Sequence, residues 1–205
     1  MIVVVFLAYF LLDFFFEKKL VGENKIFPDW IMFWDSKILL LVNRELASPF
    51  LDIVFAGLTH IGLTYFWLAL AILLWFKKMR EEAVLLTLTI VLSSLIVLPA
   101  KFFLPRARPF LLLDLRTLWF EGGYSFPSGH AKNSFASAKI LGNKKKKLKI
   151  FLYILAVAVS FSRIYLGFHW PTDVLAGALV GWFSSSLILC FRRKIMGVFG
   201  AGGRI

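Results

Sequence analysis

Three short runs hold the groups in this chain that can do chemistry: Lys101-x6-Arg108-Pro109, Pro127-Ser128-Gly129-His130 and Ser162-Arg163-x5-His169-x3-Asp173. Each sets cationic or imidazole groups beside a hydrophobic stretch, where charge is expensive and usually functional. Lys101, Arg108, Arg163, the two histidines and the carboxylate form a set suited to holding a phosphate and displacing it. Fixed positive donors grip the oxyanion, one imidazole attacks phosphorus, and the other protonates the leaving oxygen. The peptide N–H groups of Ser128 and Gly129, at the start of an expected helix, add further donors. Asp173 follows His169 by four residues, so a helix beginning near Pro171 turns its carboxylate back toward the ring. A single Arg or Lys at the end of an apolar span commonly just snorkels to headgroups. Three such cations accompanied by two histidines read as a site.

These groups must be positioned by elements lodged in lipid. Apolar residues make up 60% of the 205 residues and charged ones 18%, too little polar surface to cover a soluble domain. The pattern predicts an all-α integral membrane bundle of about six spans, in one transmembrane domain covering 1–205. Residues 2–16 form a short, uncleaved first span, followed by Glu17-Lys18-Lys19. Residues 29–46 mix Trp30, Phe33, Trp34 and Ile38 with Asp29, Asp35, Lys37 and Arg44, which predicts an amphipathic helix lying at the interface. Further spans are expected over 50–76, 83–103, 128–142, 150–166 and 171–190. The span at 128–142 is short and polar, so it needs shielding by the others. Pro171 suits a first helical turn.

The net charge of +12 is segregated by loop. With a cytoplasmic N-terminus, Lys77/Lys78/Arg80, Lys144–Lys149 and Arg192–Lys194 all face the cytoplasm, joined there only by Glu81 and Glu82 among the acids. That satisfies the positive-inside rule and sets both termini in the cytoplasm. All three motifs then share the opposite, extracytoplasmic face, periplasmic in a bacterium with the chain in its inner membrane. No nucleic-acid-binding pattern accompanies the basic residues, which excludes that partner class. Cys190, the single cysteine, permits no intrachain disulfide and reads as a packing residue. No protein partner is evident.

Taken in this order and spacing, the three motifs resemble the signature of the type 2 phosphatidic acid phosphatase superfamily, many of whose members are membrane-embedded and act on lipids. The resemblance implies a metal-independent, cofactor-free lipid phosphatase that works through a phosphohistidine intermediate. It assigns the nucleophile to His169, oriented by Asp173, and the general acid to His130. Phosphate binding falls to Lys101, Arg108, Ser128, Gly129 and Arg163. Ser128 alternatively does no more than cap its helix. The substrates implied are undecaprenyl diphosphate, phosphatidylglycerol phosphate, phosphatidic acid and lipid A 1-phosphate. A non-catalytic lipid transporter or scaffold of the same fold is the alternative, though it leaves the register of Arg163, His169 and Asp173 unexplained.

Some groups lie outside the signature. Arg106 and Lys132 are extra cations, read either as interfacial anchors or as contacts for a second anionic group. His60 is expected to be a hydrogen-bonded packing residue. No paired His or Cys spacing points to a metal. Trp119, Phe120, Tyr124 and Phe126 are expected at the interface, flanking the lipid entry.

Overall fold

The computed structural model describes residues 27–199, so the first apolar segment at 2–16 lies outside the described residues. Among the described residues the secondary structure is helical throughout, with no strand. The helices are α1 (Asp29–Leu40), α2 (Pro49–Thr59), α3 (Thr64–Phe76), α4 (Arg80–Phe103), α5 (Gly129–Leu141), α6 (Lys146–Tyr165), α7 (Pro171–Cys190) and α8 (Arg192–Val198). Helices α4, α6 and α7 are each long and apolar enough to cross a membrane. A fourth span exists if α2 and α3 count as one, so three or four candidate spans are present among the described residues.

The stretch expected as one continuous span at 50–76 is broken. A 3₁₀ turn at His60–Gly62 separates α2 from α3, and the two helices bend by 58°. Crowding at Gly62 explains the break. A Cβ there would lie 2.6 Å from His130 Cδ2 and 2.8 Å from Val159, so the turn sits directly against α5 and α6. Asn133 of α5 holds it by donating Nδ2 to the Gly62 carbonyl and to Thr64 Oγ1, both at 2.9 Å.

Helix α5 is the short, polar element, and it packs among α4, α6 and α7 as its composition requires. Its seam with α7 is made by glycines. A Cβ on Gly177 would stand 2.2 Å from the Ser128 carbonyl oxygen, and one on Gly181 2.2 Å from that of Lys132. Small residues four apart let two helix backbones approach this closely in lipid. The close seam seats the N-terminus of α5 beside that of α7, where the Ser128 N–H donates to the Asp173 carbonyl at 2.9 Å. At the other end of α4, Trp67, Leu68, Leu86, Ile90 and Ile140 form an apolar core.

Helix α1 is amphipathic in an inverted sense. Trp30, Phe33, Trp34 and Ile38 are exposed, whereas Asp35 is buried against the bundle. Aromatics that face lipid need no protein partner, and a carboxylate at this depth does. Cys190, expected to be packed, is exposed at the end of α7, beyond the glycine seam.

The basic clusters gather away from the motifs. Lys144 pairs with Glu81 and Glu82 at 2.9 and 2.7 Å, and Arg192 pairs with Glu81. From Glu81 to Lys101, α4 rises about 30 Å, one bilayer core. The two chemistries therefore occupy opposite ends of the helix that carries Glu81 and Lys101.

Candidate active site

At the Lys101 end of α4, side chains from four separate segments converge. Lys101 occupies the last turn of α4 and donates Nζ to the Tyr124 carbonyl at 2.7 Å. Arg108 lies in the extended segment after α4 and is 3% exposed. Its Nε and Nη2 bind the Gly122 carbonyl at 3.0 and 2.7 Å, and its Nη1 binds the Phe168 carbonyl at 3.0 Å. The same Nη1 stands 3.5 Å from His169 Nε2. Arg163, in the last turn of α6, donates Nη1 to Thr59 Oγ1 at 2.8 Å and lies over the Phe168 ring.

The loop bearing His169 is shaped by a helix ending. Gly167 adopts φ +75° just past α6, the left-handed conformation that glycine takes without steric cost. The Phe168 and His169 N–H groups then both return to the Arg163 carbonyl, at 3.0 and 3.2 Å. This folds His169 back over Arg163, and Pro171 starts α7 two residues later. Asp173 Oδ2 accepts the Trp170 N–H at 2.9 Å, closing the first turn of α7, and stands 3.5 Å from His169 Nδ1. The imidazole thus has Asp173 on its Nδ1 side and Arg108 on its Nε2 side.

His169 is 1% exposed. Burial, and then the positive charges of Arg108, Arg163 and Lys101, hold its pKa well below 6.5. The ring is therefore neutral at pH 7, with an electron pair available on nitrogen. His130 enters from the first turn of α5 and faces the same space. Ser128 caps α5, its Oγ 3.5 Å from the Ala131 N–H, which is the capping role. Gly129 has open space where a Cβ would project. The structure brings Lys101, Arg108, His130, Arg163, His169 and Asp173 into one cluster.

Arg106 and Lys132 stand elsewhere. Arg106 is wholly buried, with Nη1 on Asp173 Oδ1 at 2.7 Å and Nη2 on Asp35 Oδ2 at 2.6 Å. Its charge is matched by two carboxylates and presents no surface to a ligand, so the reading as a second anion contact or an interfacial anchor gives way. Lys132 is 1% exposed and donates Nζ to Ser94 Oγ at 2.7 Å, so it too is enclosed by protein. His60 is exposed at the α2–α3 bend, stacked on Trp119 at 6.4 Å between ring centres. Trp119 and Phe120 are exposed, whereas Tyr124 and Phe126 are half-buried.

The sequence reading missed Glu121. Its carboxylate spans the cationic pair, 3.1 Å from Arg108 Nη2 and bonded to Arg163 Nη2. Burial alone would raise its pKa, but Arg163 and Arg108 outweigh that and hold the carboxyl well below the usual range. One possible ligand atom each from Glu121, His130 and His169 lie within 4.8 Å of one another. The available signal was an acid alone among aromatics and glycines, nine residues ahead of His130. Asp35 was a similar signal, an acid inside an apolar helix.

Comparisons with known proteins agree with this geometry. Residues 82–196 match the family model described as the PAP2 superfamily. The chain is 31% identical to phosphatidylglycerophosphatase B of Bacillus subtilis over 78% of its own length and 82% of the relative's. It is 32% identical to the undecaprenyl-diphosphatase of Sulfolobus acidocaldarius, covering 88% of this chain and 86% of that one. The crystal structure of the first transmembrane PAP2-type phosphatidylglycerolphosphate phosphatase from Bacillus subtilis superposes with a TM-score of 0.72 at 28% identity, covering 95% of this chain and 96% of that one. That of Aquifex aeolicus LpxE superposes at 0.69 and 32%, covering 75% and 93%. A buried imidazole among arginines, on an all-helical membrane scaffold shared with these enzymes, makes the chain a membrane lipid phosphatase that belongs to the PAP2 superfamily.

Proposed function

We propose that the chain hydrolyses a lipid phosphate or diphosphate, without a metal ion, through a phosphohistidine at His169. The observation that carries this is the setting of His169: neutral, with Arg108 3.5 Å from Nε2 and Asp173 3.5 Å from Nδ1. The Nε2 electron pair forms the N–P bond while the P–O bond to the leaving group breaks. The electrons of that bond pass to the leaving oxygen, which takes a proton from His130. Burial and then the charge of Arg163 hold that ring neutral in the free protein, so the proton it gives is one it accepts as the phosphate anion binds. The Nδ1 proton stays with the ring, facing Asp173, which balances the positive charge that develops there. Water, giving a proton to His130, then attacks phosphorus and returns the electron pair to Nε2. Lys101, Arg108 and Arg163 hold the equatorial oxygens as charge spreads over them.

Glu121, His130 and His169 are close enough to share an ion. Arg108 and Arg163 nevertheless flank them, and that field favours an oxyanion over a cation. An incoming phosphate must compete with Glu121 for both guanidinium groups.

The substrate candidates are phosphatidylglycerol phosphate, undecaprenyl diphosphate, lipid A 1-phosphate and phosphatidic acid. The names of the relatives support the first two, and the match to a Bacteroides thetaiotaomicron lipid A 4'-phosphatase supports a lipid A phosphate. The site faces outward from the cytoplasm, with both termini inside, because the lysine and arginine clusters lie at the opposite end of the bundle. The whole of 1–205 acts as one domain.

Phosphate release from a panel of these lipids in detergent, with excess EDTA, tests the proposal. Turnover should survive the chelator, and an acid-labile phosphoenzyme should be trapped with the native chain and not with His169→Ala. Activity lost in EDTA and restored by Mg²⁺ would overturn the mechanism.

A further inference from the structure

Asp173 Oδ2 stands 3.5 Å from His169 Nδ1, and its other oxygen is held by a group the three motifs do not contain. Arg106 Nη1 donates to Asp173 Oδ1 at 2.7 Å and to Thr172 Oγ1 at 2.7 Å. Arg106 Nη2 donates to Asp35 Oδ2 at 2.6 Å. Asp35 closes the ring of contacts by accepting the Thr172 N–H on Oδ1 at 3.0 Å and the Thr172 hydroxyl on Oδ2. The guanidinium is clamped flat as well, its carbon 4.1 Å from the centre of the Phe27 ring and 5.0 Å from that of Trp170. Asp35, Arg106 and Asp173 are each at most 1% exposed.

A buried carboxylate is free to rotate unless a fixed donor holds it. Arg106 is such a donor, since a guanidinium does not lose its proton in a protein. A buried guanidinium needs compensation in turn, and a single carboxylate shared with the reaction would leave Arg106 drawing charge away from His169. Asp35 restores the balance. The group of three has a net charge of −1 beside the ring, as an unpaired Asp173 would, but with the carboxylate locked in direction.

We infer that Arg106 and Asp35 are positioning residues for the nucleophile: Asp35 neutralises Arg106, and Arg106 locks the Asp173 carboxylate against His169 Nδ1. Asp35 lies on α1, outside the residues 82–196 that match the family. The interfacial helix is thereby tied into the reaction centre by charge. The inference rests on His169 being the nucleophile proposed above. Besides Asp173, the groups facing His169 are Arg108, Arg163, Lys101, His130 and Glu121, none of which the test alters.

The test is Asp35→Asn, which keeps the shape and removes the charge. It should lower kcat on a lipid phosphate about ten- to a hundredfold, the scale of a small misplacement at a reacting group, with KM nearly unchanged. The acid limb of the pH–kcat profile should move to lower pH, because a protonated His169 then meets less negative charge. Asp35→Glu should restore the limb. The double variant Asp35→Asn/Arg106→Gln returns the net charge to −1, so its limb should match the native chain while kcat stays low. Native kcat and native acid limb in Asp35→Asn would overturn the inference. So would a fall in kcat that comes with a lowered thermal midpoint and an unmoved limb, which marks a structural staple. Should Asp35→Asn not fold, the double variant decides: native kcat overturns, and low kcat at native KM and thermal midpoint supports. His169→Ala in parallel separates the two ideas. If it still turns over, the nucleophile assignment is wrong; if it is dead and Asp35→Asn is normal, only the positioning role fails.

Discussion

Replacing Glu121 by Gln should make the site bind oxyanions more tightly. In the structure the Glu121 carboxylate occupies Arg163 Nη2 and approaches Arg108 Nη2 at 3.1 Å, so a phosphate gains those donors only by displacing it. A hydrogen bond to a charged group contributes about 1.5–3 kcal/mol net. The Glu121 side chain is 20% exposed, so the displaced carboxylate regains water and part of that contribution is returned. Counting one such contact at the lower end gives about 1.5 kcal/mol, roughly a tenfold gain in affinity. The amide keeps the volume and a weaker acceptor but no charge. Titrating orthovanadate and inorganic phosphate into the detergent-solubilised protein, by calorimetry or thermal shift, measures the difference directly. An unchanged or weakened affinity in Glu121→Gln would refute the competition, because it would mean that the carboxylate supports the anion site.

Other consequences are equally direct. His130→Ala should slow hydrolysis of an alkyl phosphate by about 10²–10⁴ and an aryl phosphate far less, since an aryl oxide leaves without being protonated; equal losses in steady-state kinetics on both would remove His130 from the acid role. Stability should fall as pH drops below 6.5, because the unfolded chain then takes up a proton that buried His169 refuses. That group adds a slope of up to about 1.4 kcal/mol per pH unit, which His169→Asn should remove from a pH series of thermal melts. Gly177→Leu should lower the thermal midpoint and the activity together, since its Cβ would stand 2.2 Å from the Ser128 carbonyl oxygen and force α5 away from α7. Overpacking of this kind costs about 1–3 kcal/mol or more.

Much of the site was legible in the chain itself. A membrane span announces itself by apolar length, because lipid imposes the same demand on every residue along it. This is why α4 and α7 were found where expected. The chemistry-bearing residues stood at the span ends because charge is tolerated there, and turns such as Phe168–Pro171 are set by local signals like Gly167 and Pro171. The register of His169 and Asp173 is likewise local, four residues on one loop and helix start.

What the sequence alone could not decide was which charge answers which. Arg106 reads the same from its neighbours whether it waits for a ligand or is already bound. Its partner Asp35 lies 71 residues away, on a helix whose aromatic face drew attention to the lipid side. Glu121 meets Arg163 across 42 residues, and only the folded loop brings its carboxylate onto the arginines. The break at Gly62 has the same origin: membrane helices carry glycines such as Gly57 and Gly62 without bending, and what turns the chain here is the approach of His130 and Asn133 from another helix. Hydropathy and turn preferences are properties of a few consecutive residues, whereas the pairing of buried charges is settled only when distant helices pack and the cost of leaving any one unpaired must be met at once.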